Sequence, residues 1–143
     1  MSLEKIHAAI PHRDPFLLVD TIVEWEENFI QCQKTLSGDE FWFQGHYPNH
    51  PIMPGVLQCE AALQAGAILL SKHVAGNVEE QVPVATRLNN VRFKNMVYPG
   101  DIMTMEVKLD ERLSDAFFLT GKVLSQGKVT TRLEFACTVT SPK

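Results

Sequence analysis

Between Val56 and Val74 almost every residue is apolar or small, and the exceptions are Gln58, Glu60, Gln64 and a Ser71-Lys72-His73 end. A run this long without a polar face reads as a helix covered on most sides. Its apolar part, Val56 to Leu70, falls short of the roughly 20 residues that a bilayer requires and carries Glu60 and two glutamines, so no membrane span is expected. The helix must be enclosed by the rest of its own chain.

The enclosing structure is a sheet. From Val82 onward the pattern changes to period two, with strands expected near 83–97, 101–112, 115–125 and 128–140 and turn signals at Tyr98-Pro-Gly-Asp101, Leu113-Ser-Asp115 and Ser125-Gln-Gly127. Met103, Met105, Val107 and Leu109 alternate with Thr104, Glu106 and Lys108, and Leu133, Phe135, Cys137 and Val139 repeat the pattern. One face of an antiparallel sheet built from successive hairpins is therefore apolar. Nearer the N-terminus, 2–9 reads as a short amphipathic helix ended by Pro11. An apolar strand runs from the turn at 11–15 through Trp25, a second spans Ile30–Leu36, and Ser37-Gly38-Asp39 ends it. Gly76–Glu80 is a polar surface loop. The economical arrangement is an α+β domain in which the sheet curls around the single long helix. An open sheet leaves an exposed edge, which a twofold pairing of two copies would cover, so a homodimer is expected.

The 143 residues suit one domain, 1–143, and a domain of that size buries roughly 70% of its unfolded surface. Only 13 Lys and Arg against 17 acidic residues, scattered without a run, argue against nonspecific nucleic-acid binding. Cys32, Cys59 and Cys137 are odd in number and far apart, which fits reduced core thiols better than a disulfide framework or zinc site. No signal-peptide-like segment opens the chain, so a cytoplasmic location is expected.

The chemistry concentrates just before and inside the helix. Pro48, Pro51 and Pro54 hold an extended loop that carries His46, because each fixes its own φ and keeps its predecessor out of the helical region. Glu60 follows inside the helix, where an unpaired carboxylate is costly and so marks a paired or functional group. Gln64, four residues on, shares its face and can orient it. Gly55 opens the helix, and its N–H, with no partner inside the helix, can donate to a developing oxyanion. One short stretch thus supplies a base, an acid and an oxyanion donor. The other histidines carry less. His46 and His50 are four apart, but the prolines forbid the helix that would make them a metal pair and no third ligand is evident, so no metal is expected and His50 is assigned to holding the loop. His7, His12 and His73 lack convergent partners and are read as solvated or structural. Lys122, Lys128 and Arg132 alternate with apolar residues and are read as a solvated face. No phosphate loop, nucleophile elbow or Cys–His pair occurs.

The segment Gly45-His-Tyr-Pro-Asn-His-Pro-Ile-Met-Pro-Gly-Val-Leu-Gln-Cys-Glu60-Ala-Ala-Leu-Gln64 resembles the signature of the FabZ-type 3-hydroxyacyl-[acyl-carrier-protein] dehydratases. Ile10-Pro-His-Arg-Asp-Pro-Phe-Leu-Leu-Val-Asp20 and Val91-Arg-Phe-Lys-Asn-Met-Val-Tyr-Pro-Gly-Asp101 resemble two further stretches of that family. The resemblance implies a hot-dog fold, an antiparallel sheet wrapped around one central helix. It also implies a dimer in which His46 of one subunit faces Glu60 of the other, and loss of water from a (3R)-3-hydroxyacyl thioester without an external cofactor. The partner it implies is an acyl carrier protein, with Arg87, Arg92, Lys94 and Lys72 as candidate contacts. Phe41, Phe43, Met53, Leu57 and Phe93 are candidates for lining an acyl tunnel beside the helix. Asp14 stands where the family leads one to expect an aromatic residue, Tyr47 replaces a more usual Phe, and Ser37–Glu40 departs from the usual turn. Glu60, rather than Asp, points to the branch that dehydrates without isomerising. The competing readings are a hot-dog thioesterase, in which the helix carboxylate activates water, and a non-catalytic acyl-binding module. The proline-rich His loop argues against the first, and His46 together with Glu60 argues against the second.

Overall fold

A computed structural model describes residues 3–140 apart from 75, 77 and 79. The chain forms α1 (Leu3–Ala9), β1 (Thr21–Trp25), β2 (Phe29–Thr35), α2 (Phe41–Gly45), α3 (Gly55–Leu70), β3 (Val82–Phe93), β4 (Ile102–Leu113), β5 (Ala116–Ser125) and β6 (Lys128–Thr140). The six strands make one antiparallel sheet in the order β1-β2-β4-β5-β6-β3. The sheet curls so that α3 packs against β2, β3, β4, β5 and β6. This is the α+β hot-dog arrangement. It explains why α3 is apolar almost all round: Ala61, Ala62, Ala65, Ile68, Leu69 and Leu70 are fully buried around its circumference. No helix among the described residues is long and apolar enough to cross a membrane.

The period-two reading holds where the sheet is half-buried. Met103, Met105, Val107 and Leu109 face the helix, as do Leu133, Phe135 and Cys137. All three cysteines are buried and unpaired; burial pushes the Cys32 and Cys137 thiols up to about 12.

Close packing of helix on sheet depends on two glycines. A Cβ on Gly66 of α3 would come within 2.8 Å of the Phe135 ring, and one on Gly121 of β5 within 3.3 Å of the same ring. Phe135 is fully buried, so its ring has little room to retreat. Gly66→Val is expected to destabilise the fold by about 2 kcal/mol or more through overpacking. A denaturant midpoint equal to the parent's would contradict this account.

Four features depart from the sequence expectation. First, β3 and β4 do not form a hairpin. The segment 94–101 passes beside Met53 just ahead of α3, buries Val97, and delivers β4 between β2 and β5, while β3 pairs with β6 at the edge. Lys94 and Asn95 still bond to Thr130 O on β6; beyond them Met53 N–H donates to Val97 O and Gly100 N–H to Leu36 O, so the chain leaves β6 and is stitched to the segments before α3 and after β2. Second, residues 17–19 are buried but not in the sheet, because Leu18 N–H donates to the Gln64 side chain; the strand begins only at Thr21. Third, α3 ends at Leu70 and tightens into a 3-10 turn over Ser71–His73. Fourth, α2 covers Phe41–Gly45, a stretch to which the sequence assigns no element. It has five residues, too few for a helix stable alone, and is held by burial of Trp42 and Phe43.

The sheet has two edges, β1 and β3. On β3 every residue from Val84 to Asn90 is exposed, including Val84 and Leu88.

Candidate functional site

His46 caps the C-terminus of α2, its N–H donating to Trp42 O at 3.0 Å. The loop then turns before it runs extended. Tyr47 adopts φ 53°, a left-handed conformation costly for a bulky side chain, and His50 N–H closes the turn on Tyr47 O at 2.8 Å. Beyond it the chain straightens to Pro54. The His46 Nδ1 lies 2.9 Å from Ile52 O. A carbonyl only accepts, so in this bond Nδ1 carries the hydrogen. The neutral ring therefore presents Nε2 as a bare lone pair. Ile52 is a firm anchor, since the next residue, Met53, is buried and bonded to Val97 O.

Glu60 sits in the second turn of α3 and is partly covered, its side chain 23% exposed. Gln64, one turn on, is fully buried and its orientation is forced. Its Oε1 accepts from Leu18 N–H at 2.7 Å, so its amide nitrogen is the atom that donates to Phe16 O at 2.9 Å and to Glu60 Oε2 at 3.0 Å. Glu60 Oε1 has no partner among the described residues. The carboxyl borders a cavity of about 260 Å³, whose other walls are Pro11, His12, Leu63, Ala67 and Val82–Ala85.

The sequence leaves His12 without a convergent partner, as a solvated or structural residue; the fold brings it to Glu60, with Nε2 3.7 Å from Oε2. Burial lowers its pKa below the ordinary histidine value, Glu60 opposes that shift and Arg13 reinforces it. The contact is accordingly one between a carboxyl group and a neutral imidazole at neutral pH, not a fixed ion pair. No local signal could have found it, because the link is made by the turn after α1 folding back over α3.

Gly55 is the first residue of α3, and its N–H has no partner among the described residues. The Phe93 ring lies directly against it: a Cβ there would fall 2.6 Å from two ring atoms. Only glycine permits that approach.

The remaining candidates are dispersed. Phe93 covers Gly55, Phe41 is exposed on α2, Phe43 and Met53 lie in the core, and Leu57 is half-buried against it. None of these five lines the cavity beside Glu60. Arg87 and Arg92 are exposed on β3 and Lys94 just beyond it. Lys72 lies past the other end of α3, a helix about 24 Å long, with its Nζ 4.5 Å above the Trp25 ring. His50 closes the loop turn with its backbone and meets Tyr98 edge-on with its ring. His73 Nε2 is 2.7 Å from Glu27 O, and the His7 carbonyl accepts from Arg13. His46 and Glu60 share no hydrogen bond or ring contact among the described residues, and His46 is not part of the cavity that Glu60 borders.

Residues 10–134 match the family model of the FabA-like domain. A 3-hydroxyacyl-[acyl-carrier-protein] dehydratase FabZ of Petrotoga mobilis is 39% identical, with 94% of each chain covered. One from Caulobacter vibrioides is 40% identical, covering 100% of this chain and 92% of that protein. Among solved structures, the dehydratase heterocomplex ApeI:P from Xenorhabdus doucetiae superposes with a TM-score of 0.78 at 18% identity, over 96% of this chain and 91% of that one. A thioesterase of Staphylococcus aureus superposes with a TM-score of 0.69 at 10% identity, over 85% and 93%. At these identities the structures show the fold alone, and the fold is shared by dehydratase and thioesterase.

Proposed function

We propose a dehydratase function for this chain, which belongs to the FabA-like family and, within it, to the FabZ-type 3-hydroxyacyl-[acyl-carrier-protein] dehydratases. The reaction is loss of water from a (3R)-3-hydroxyacyl thioester on acyl carrier protein, giving the trans-2-enoyl thioester, in fatty acid biosynthesis. The observation that carries the reading is the tautomer of His46: with Nδ1–H committed to Ile52 O, Nε2 is left to take the α-proton.

That proton is weakly acidic, so its removal requires the thioester oxygen to be stabilised as charge builds. The unpartnered Gly55 N–H, at the positive end of the α3 dipole, suits that task. Electron density then expels the β-hydroxyl. Hydroxide leaves poorly, so Glu60 serves by giving it a proton or by holding a polarised water, through the oxygen that Gln64 does not occupy.

His46 and Glu60 share no contact within one chain, and β3 offers an open edge with exposed Leu88 and with exposed Val84, which lines the Glu60 cavity. Pairing two β3 edges would cover that edge and bring His46 of one copy to Glu60 of the other. In this reading the acyl chain enters a tunnel completed at the interface, with Phe93 at Gly55 as its first wall and Phe41, Phe43, Met53 and Leu57 as further candidates. Arg87, Arg92 and Lys94 meet the carrier; Lys72, beyond the far end of α3, would need a separate contact.

The test is direct. Purified protein should hydrate a crotonyl thioester and dehydrate a 3-hydroxybutyryl thioester, read by the enoyl absorbance. Thiol release with no change at the double bond would instead establish a thioesterase.

A further inference from the structure

The cavity beside Glu60 contains one polar side chain that the dehydration scheme leaves without a task. His12 reaches it from the turn after α1. Arg13 clasps that turn, one guanidinium nitrogen donating to Ile10 O and His12 O at 2.8 Å each and another to His7 O at 3.0 Å. The Phe16 ring stacks nearly parallel to the imidazole, 20° apart with centroids 6.3 Å apart. Gln64 ties the same segment to α3 through Phe16 O and Leu18 N–H. The backbone on either side of the ring is thus tied down, while the ring itself rests on Phe16 and its side chain is 27% exposed.

Its two nitrogens differ. Nδ1 is buried with no hydrogen-bond partner, while Nε2 faces Glu60 Oε2 at 3.7 Å. A hydrogen on Nδ1 would bury an unpartnered donor and aim a bare lone pair at a carboxyl oxygen, two unfavourable arrangements at once. A hydrogen on Nε2 removes both. Every other residue lining the cavity is apolar, so His12 and Gln64 are the groups that can set the carboxyl's orientation there.

We propose that His12 is a positioning residue for Glu60: its Nε2–H joins the Gln64 amide in holding Oε2 as an acceptor, so that Oε1 alone turns to the departing hydroxyl. The proposal rests on the dehydratase reading for its kinetic consequence but not for its tautomer. A 3.7 Å separation is longer than a hydrogen bond; such contacts commonly tighten only when substrate closes the site.

Two variants and one spectrum test it. His12→Phe keeps the ring and its stack on Phe16 but has neither nitrogen, whereas His12→Gln restores an N–H at the position of Nε2. With the crotonyl thioester, His12→Phe should lower kcat about 10- to 100-fold, as misorientation of a catalytic group does, with little change in KM. His12→Gln should recover most of that loss. In the parent protein, side-chain ¹⁵N NMR should show His12 protonated on Nε2 in its neutral form. Parental kcat in His12→Phe, or a neutral His12 protonated on Nδ1, overturns the proposal. Failure of the dehydratase reading is recognised separately, by a parent protein that does not act on the double bond or by an active Glu60→Gln, and the NMR tautomer still decides whether His12 donates to Glu60.

Discussion

His46→Asn is expected to lower the dehydration rate by about 10²- to 10⁴-fold, the range associated with a positioned general base. Asparagine is the informative replacement. Its amide nitrogen occupies the place of Nδ1 and can still donate to Ile52 O, so the turn at Tyr47–His50 and the anchor at Met53 persist. What it lacks is any basic atom at the place of Nε2. The loss should therefore fall on kcat, with the melting temperature near that of the parent. His46→Ala should lose the same activity and, in addition, leave the Ile52 carbonyl without its donor. Crotonyl thioester hydration at saturating substrate is the measurement, and a His46→Asn enzyme within a few-fold of the parent would remove His46 from the role of base.

Glu60→Gln should reduce turnover by a comparable factor, about 10²- to 10⁴-fold, with no loss of stability. The substitution preserves shape, and the new amide oxygen can still accept from Gln64 Nε2, so the Gln64 network to Phe16 and Leu18 has no reason to break. Glutamine cannot protonate a leaving hydroxyl, and that single deficit is what the assay reads. The pair also tests the assembly. Each variant alone is expected to keep about 1% of the parental activity or less. If His46 of one copy works with Glu60 of the other, mixing His46→Asn with Glu60→Gln and allowing exchange of a twofold dimer creates mixed dimers with one intact site, restoring about a quarter of the parental activity. If both groups act within one chain, the mixture stays dead, and the site shared between two subunits is refuted.

Much of this was readable in the chain. Met103 to Leu109 and Leu133 to Cys137 announce their inward face because strand side chains alternate, whatever the strands pair with. The reading of α3 as an enclosed helix needed only its lack of a polar face. His46, Gly55, Glu60 and Gln64 stood out because each residue type is out of place: a histidine among prolines, a glycine at a helix start, a carboxyl and an amide in an apolar run. The edge position of β3 was not readable, since a Pro-Gly turn after a strand looks the same whether the chain folds back beside it or crosses to another part of the sheet, as 94–101 does. Nor was α2 readable. Five residues carry too little periodicity, and their helix exists because Trp42 and Phe43 find a core to enter.

The sequence by itself determined the local commitments of this protein. It set a helix that must be surrounded, strands with one apolar face, a proline-stiffened loop carrying His46, and a carboxyl group one helical turn from the glutamine that orients it. These follow from φ restriction, period and burial cost, all of which act over a few residues. Only the tertiary structure decided that Leu18 and Phe16 bind Gln64, that Phe93 lies on Gly55, and that His12 faces Glu60. Those contacts join segments distant in sequence, and they are settled by which surfaces pack together once the sheet has curled around α3. The tautomer of His46 belongs to both: the loop is written in the prolines, but the hydrogen is placed on Nδ1 by an Ile52 carbonyl whose position the buried Met53 and Val97 hold.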